Sequence, residues 1–307
     1  MKPETLQALK RRKWESPPPI LRFDDTLKKH TTYRIGGRVP LFAFIEHKDT
    51  LLECLDSLNG EEPFIIGRGS NLLCADGDFS RPVFRLTGEF ERIRIEDNYI
   101  EAGGGASIPQ LLKRATQAGI GGFEFLAGVP GTVGGAVMNN SGSRLNSILE
   151  RTESILAYHW KEKRFVAFSP SDFVWGYRFC SLRGQALVIT SVRLRGDFRP
   201  KEEIEGEIQR ILRYRKQTQP LGAACAGSVF KNPSGFFAGK LIEECGLKGV
   251  SIGKAQVSEV HANFIINRGG ASFADVHKMI LYVQETVYRH HKCQLEMEIQ
   301  IVAPESQ

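Results

Sequence analysis

The chain has 307 residues, 41% hydrophobic and 25% charged, with a formal net charge of +6. That length supports two or three domains with buried cores, and the balance is globular. No apolar run reaches the ~18 residues of a membrane span, while the basic excess suits nucleic acid or an anionic ligand such as a nucleotide.

The first residues, "MKPETLQALKRRKWESPPPI", are charged throughout and lack the apolar core of a secretory signal. They read as a helical or frayed tail stopped at Pro17, Pro18 and Pro19. "LFAFIEH" (41–47) alternates as a strand, "DTLLECLDSL" (49–58) has helical spacing, and "PFIIG" (63–67) is a short apolar strand. This β-α-β order predicts a parallel pair with a right-handed crossover. The strand runs into "IIGRGSNLL" (65–73), where Gly67 and Gly69 let the backbone approach a ligand closely. Successive N–H groups there form an anion nest, to which Arg68, Ser70 and Asn71 add side-chain donors. The ordinary alternative is a strand-to-loop turn.

"FERIRIED" (90–97) and "NYIEAGGG" (98–105) read as strands, followed by a helix with Ser107 as cap, Gln110 completing a capping box, Pro109 in the first turn and Gly119 as stop. Next comes "LAGVPGTVGGAVMNN" (126–140), with Gly128, Gly131, Gly134 and Gly135 crowded around Pro130 and Thr132. It is neither a Walker loop nor a Rossmann fingerprint. So many glycines cost chain entropy, and backbone contact with a pyrophosphate or a flat ring would offset it; a tight packing corner is the alternative. "SILAYHW" (154–160), "RFVAFS" (164–169) and "ALVITSVRLRG" (186–196) read as strands of a mixed sheet. Between them "FVWGYRFCS" (173–181) places Arg178 among aromatics, where spacing alone favours a structural ion pair.

In "EIEGEIQRILRYRKQ" (203–217), Ile204, Ile208 and Ile211 share a helix face, and the basic residues of 210–216, like those of 10–13, read as solvated helix faces. "CAGSVFKNPSG" (225–235) carries Ser228, which lacks the second glycine of a nucleophile elbow and the partner boxes of Ser-x-x-Lys enzymes. An acyl-transfer nucleophile is poorly supported, and a Gly-Ser turn is the plain reading. "FFAGKLIEECGL" (236–247) is a short helix stopped by Gly246, "HANFIIN" (261–267) a strand, and "ADVHKMILYVQETVYRHH" (274–291) a long helix with Val276, Ile280, Val283 and Val287 along its stripe. "QLEMEIQIV" (294–302) alternates, so Glu298 shares a polar face with Glu296 and Gln300. The six cysteines form no C-x-x-C and no zinc spacing, so no metal is expected and a cytoplasmic, reducing compartment is.

Taken together, "TTYRIGG" (31–37), "IIGRGSNLL", "AGVPGTVGGAVMNN", "GYRF" (176–179), "GSVFKNP" (227–233), "AGKLIEECGLKG" (238–249) and "HANFIIN" resemble, in order, the UDP-N-acetylenolpyruvoylglucosamine reductases of bacterial peptidoglycan synthesis. The resemblance covers about residues 31–302. Its first three motifs belong to a wider group of FAD-binding domains; "GSVFKNP" with "HANFIIN" is more specific. It implies an α+β fold, with a two-part FAD-binding domain of the vanillyl-alcohol oxidase/PCMH type and a C-terminal α+β substrate domain. The expected division is 1–87 and 88–200 for the FAD-binding subdomains and 201–294 for the substrate domain, with the segment 295–307 returning to the first.

The implied chemistry uses FAD and NADPH. Hydride passes from NADPH to FAD and on to the enolpyruvyl ether of a UDP-sugar, and the neighbouring carbon is then protonated. The resemblance makes Ser228 the general acid and gives Arg178 and Glu298 the stabilisation of developing charge. It assigns Lys216, Lys231 and Asn232 to the substrate. The FAD falls to Arg34, the 67–71 loop and the segment of Gly128, Pro130, Gly131, Thr132, Gly134, Gly135 and Ala136. A monomer acting on a UDP-sugar is expected, with no nucleic-acid or membrane partner. The family pattern Met-Asn-x-Gly-Ala is replaced here by "MNNSGSRLN" (138–146), and Cys180 stands where a serine is usual. The compact third region resembles the branch without an extra substrate-covering loop. The competing enzyme reading is an FAD-dependent oxidase of an alcohol or sugar. Such oxidases often bind flavin covalently through a His or Cys of the first glycine loop, where "GRGSN" offers neither and Cys74 is the nearest. A basic nucleic-acid-binding protein is the third reading, without any recognised module to support it.

Overall fold

The computed structural model describes residues 1–143 and 145–304. The last three residues of the expected returning segment, 305–307, lie outside the described residues, as does Arg144 within "MNNSGSRLN". The chain divides into two compact units: unit one is Met1–Phe23, Pro40–Gly67 and Arg81–Arg213, and unit two is Asp24–Val39, Arg68–Ser80 and Tyr214–Gln307.

The charged N-terminal tail forms helix α1 (Pro3–Arg11), with Leu9 buried. Strands β1 (Ile20–Thr26), β2 (Arg38–Ile45), β3 (Phe64–Ile65) and β5 (Val83–Leu86) form one sheet in the order β1-β2-β5-β3, with β4 (Leu72–Cys74) elsewhere and helix α2 (Lys48–Ser57) following β2. The expected parallel pair is therefore split: β2 and β3 each pair in parallel with β5, which inserts between them. Val83, Phe84 and Leu86 are buried at the centre of the sheet, and Arg85 lays its guanidinium over the Phe42 and Phe44 rings of the neighbouring β2, so the strand gains more by burial there than at an edge.

The larger sheet runs β10 (Arg164–Phe168), β9 (Thr152–His159), β13 (Leu187–Arg195), β7 (Tyr99–Gly103), β6 (Ile93–Glu96). Every pairing in it is antiparallel, which corrects the expected mixed sheet. Each neighbouring pair runs in opposite directions, so no parallel crossover is needed. Helix α3 (Ile108–Gln117) covers its core through Ile108, Leu111 and Ala115. Short strands β8 (Ile120–Gly121) and β14 (Asp197–Phe198) pair at one margin, and β11 (Trp175–Gly176) and β12 (Phe179–Cys180) form a hairpin. Ser107 caps α3, but its hydroxyl also donates to Gln110 Oε1, so the glutamine does not close a full box. The complete capping box is at α7 (Phe273–His291), between Ser272 and Asp275. The amphipathic helix α5 (Lys201–Thr218) buries Ile204, and Ile208 and Ile211 pack on unit one's core; the division between units falls within it.

Unit two is built on α7. Val276, Ile280, Val283 and Val287 are fully buried against α6 (Ala238–Glu244) and the strands β15 (Ser251–Ile252), β16 (Ala255–Val257) and β17 (Ile265–Asn267). The final strand, β18 (Gln300–Val302), pairs in parallel with β4. It is shorter than the alternation of 294–302 predicts. The N–H groups of Glu298 and Ile299 both point to the carbonyl of Val229, which breaks the ladder, and Met297 turns outward.

Candidate active site

In unit one the glycine-dense segment is partly helical, a feature its composition hides. Thr132 caps α4 (Val133–Met138) by accepting from the N–H of Gly135. Gly131 O accepts from Ile108 N, while Val133 N and Gly134 N donate to Ala106 O and Gly104 O at 2.8 and 2.9 Å. A Cβ on Gly134 would lie 3.0 Å from Gly104 O, and one on Gly67 would lie 2.6 Å from Thr132 Oγ1. Gly67 and Thr132, from the two stretches assigned to the cofactor, are thus neighbours. Gly128 (φ +80°) and Pro130 are exposed, Gly131 and Gly135 are half-buried, and Ala136 is buried.

Arg178 also belongs to unit one. It sits in the left-handed region (φ +54°) at the two-residue turn between β11 and β12. Its guanidinium donates to Asn140 O and Gly142 O at 3.4 and 2.7 Å. Asn140, 2% exposed, donates from Nδ2 to Gly176 O (2.7 Å) and accepts at Oδ1 from Leu149 N (3.2 Å). The departure at "MNNSGSRLN" therefore carries a side chain that ties the end of α4 to the arginine hairpin, a role absent from the sequence reading.

In unit two the first loop is wedged against its own neighbour. Gly69 has φ +62°, its carbonyl accepts from Thr32 N, and a Cβ there would lie 2.3 Å from His30 O. Arg34 (φ +55°) and Arg68 are exposed and Ser70 is half-buried. Beneath this loop the buried Asp25 accepts from His30 Nε2 (2.8 Å) and Lys29 Nζ (2.9 Å). Burial raises the Asp25 carboxyl, but the hydrogen bonds from His30, Lys29 and the Thr26 N–H outweigh it and hold it at about 2.

Ser228 is half-buried, directly after a left-handed Gly227 (φ +78°). Val229 O accepts from Glu298 N at 2.8 Å, so the serine stretch and the terminal segment meet at one carbonyl. Asn71 reaches the same place: its Nδ2 donates to Glu298 O (3.2 Å) and its carbonyl accepts from Gln300 N (2.9 Å). Part of Asn71 thus serves the fold as well as any ligand. Lys231 N bonds Glu296 O, and its ammonium lies 3.3 Å from the Glu296 carboxylate. Asn232 Oδ1 accepts from Ala238 N at the start of α6, and Lys216 is exposed on α5. His261 and Asn263 flank this region. Burial lowers the His261 pKa, with Lys248 adding to it.

Comparison with known proteins matches these parts. Residues 40–158 match an FAD binding domain, and residues 219–302 match the UDP-N-acetylenolpyruvoylglucosamine reductase C-terminal domain. The chain is 38% identical over 287 residues to UDP-N-acetylenolpyruvoylglucosamine reductase 2 of Symbiobacterium thermophilum, covering 92% of each. It is 39% identical over 283 residues to the Moorella thermoacetica reductase, covering 91% of this chain and 92% of that protein.

The chain belongs to the UDP-N-acetylenolpyruvoylglucosamine reductase family.

The crystal structure of the Thermus caldophilus reductase superposes with a TM-score of 0.81 at 34% identity, covering 92% of this chain and 98% of that one. The α+β architecture expected from the motifs is that of the family. The residues present fit FAD: Gly128 is exposed and left-handed, and Gly131 and Gly135 are half-buried beside the start of α4, so backbone N–H groups without side chains over them are on offer to a pyrophosphate and a flat ring. The one cysteine near the first loop does not suit a covalent flavin. Cys74 is fully buried in β4, and burial pushes its thiol to about 12. Among the described residues no cluster of His, Cys, Asp or Glu is arranged to hold a metal ion, and no helix is long and apolar enough to cross a membrane.

Proposed function

We propose that Ser228, Arg178 and Glu298 carry the chemistry of this reductase, with Ser228 as the general acid. The reaction reduces the enolpyruvyl group of UDP-N-acetylglucosamine enolpyruvate to give UDP-N-acetylmuramate for peptidoglycan synthesis, with FAD as cofactor and NADPH as reductant. When bound, FAD supplies the hydride that NADPH has given it. The substrate carbon beside the one receiving hydride gains enolate character and is basic enough to take a proton from a hydroxyl. Ser228 Oγ–H delivers that proton, and solvent restores it to the serine. Placement matters more here than a lowered pKa. Arg178 sets positive charge beside the enolpyruvyl group, and Glu298 polarises the same group.

The observation that carries this reading is the junction at Val229 O, which holds the backbones of Ser228 and Glu298 side by side. The Ser228 hydroxyl makes no hydrogen bond among the described residues, which leaves its proton for substrate. Lys216, Lys231 and Asn232 serve the UDP-sugar. Arg34, the 67–71 loop and the residues from Gly128 to Ala136 serve the FAD, by backbone N–H groups more than by side chains. We further infer a cytoplasmic monomer that needs neither nucleic acid nor membrane.

An anaerobic two-step assay tests the reading. Flavin colour should bleach with NADPH and return with UDP-N-acetylglucosamine enolpyruvate. Bleaching without return would remove the substrate assignment, and a protein that cannot take up FAD would remove both. Light scattering on the eluted protein checks the monomer.

A further inference from the structure

The Ser228 hydroxyl has no partner among the described residues, so the backbone alone decides where it points. Two residues before the serine Ala226 is buried at 3% exposure, but the residue between them is open. Gly227 is left-handed, and nothing lies within 4 Å of where its Cβ would be. The tighter hold is on the C-terminal side, where Val229 and Phe230 follow the serine directly and are 0% and 1% exposed.

We propose that Asn263 is the positioning residue that aims Ser228. This rests on Ser228 being the general acid. Three hydrogen bonds from Asn263 meet the two residues after the serine. Val229 N donates to Asn263 O (2.9 Å), Phe230 N donates to Asn263 Oδ1 (3.0 Å), and Asn263 Nδ2 donates to Phe230 O (2.8 Å). The side-chain amide accepts from and donates to one residue, as a paired strand residue would. A short amide fork has both functions; a carboxylate lacks the donor and an aliphatic chain lacks both. Asn263 is itself 4% exposed, and its backbone N–H donates to His261 Nδ1, so its backbone is fixed beneath the amide that holds the serine stretch. On the opposite side Val229 O accepts from Glu298 N, and the segment is clamped from two directions. Without the amide, the buried Phe230 N–H and C=O lose their partner and the stretch shifts to find water. A displacement of ~1 Å at a catalytic group is enough to lower its rate ~10²-fold.

The test uses flavin-loaded enzyme and separates the two half-reactions anaerobically for wild type, Ser228→Ala, Asn263→Ala and the double variant. Asn263→Ala is expected to bleach with NADPH within ~2-fold of wild type, to regain colour on substrate ~10-fold or more slowly, and to add nothing in the Ser228→Ala background. Hydrogen exchange at the Phe230 amide should quicken in the same variant. Return of colour at the wild-type rate, or an equal slowing added on top of Ser228→Ala, overturns the proposal, since a purely structural role would act whether or not the hydroxyl is there. If Ser228→Ala itself regains colour normally, the acid assignment has failed instead, and this inference with it. Should Asn263→Ala not retain flavin, Asn263→Asp replaces it. That variant keeps the shape and the acceptor for Phe230 N but not the donor, and the same outcomes decide.

Discussion

The loop at Gly69 and the stretch at Ser228 are both irregular chain in unit two, and they are held by opposite means. At Gly69 the neighbour is backbone, so close that a methyl group would fall 2.3 Å from His30 O. At Gly227 there is open space where a side chain would start, and the following residues are fastened by a distant amide and a terminal segment. The first arrangement tolerates no added atom. The second tolerates atoms but not the loss of a hydrogen-bonding group. A cofactor that rests on bare backbone favours the first, and a side chain that must reach a reacting carbon favours the second.

The largest effect should come from removing the reacting group itself. Ser228→Ala should leave bleaching by NADPH intact and slow substrate-driven return of flavin colour by ~10²-fold or more in rapid mixing; a normal return breaks the comparison at its functional end. Gly69→Ala adds left-handed strain to a collision with backbone. It should cost about 2–3 kcal/mol in denaturant unfolding and weaken FAD retention. An unchanged midpoint would show that the loop has room to shift.

Asp25 supports that same loop through His30. Its carboxyl is held at about 2, below the value of an unfolded aspartate, so it adds stability that is fully present above about pH 4 and fades as pH falls toward 2. The stability gap between wild type and Asp25→Asn should therefore be wide at pH 7 and narrow steadily through that window; a gap independent of pH would remove the carboxylate from the account. Gly227→Ala shares the left-handed cost of Gly69→Ala but meets nothing, so its loss should be only about 1 kcal/mol. The two alanines together measure how much of the Gly69 effect is collision. Smallest of all, Glu296→Gln removes the exposed partner of Lys231 and should change stability by less than about 0.5 kcal/mol. A larger change would mean that the pair helps hold the serine stretch.

Much of this was legible in the order of residues. Helices α3, α5 and α7 followed from apolar spacing and from Ser107, Pro109 and Gly119. The glycine clusters marked the places where backbone comes close to something else, because that need excludes side chains. Sheet order was less legible. Residues 83–86 carry no sign that they will slip between β2 and β3, since pairing is a choice among strands of similar polarity. The final strand is shorter than its alternation predicts for a related reason. Its alternation is real at Leu295 and Ile299, yet two successive N–H groups share one carbonyl and end the ladder.

Short motifs whose chemistry is local were enough to read the family and its flavin from the order of residues, and they supply the groups proposed here for catalysis. Tertiary structure alone decided how those groups are held. Asn263 lies 33 residues from Phe230, Asn71 lies 227 residues from Glu298, and Asn140 reaches 36 residues along the chain to Gly176. An asparagine reads the same in sequence whether its amide faces water or closes a buried pair of backbone groups. Only the packing that excludes water turns it into a clamp.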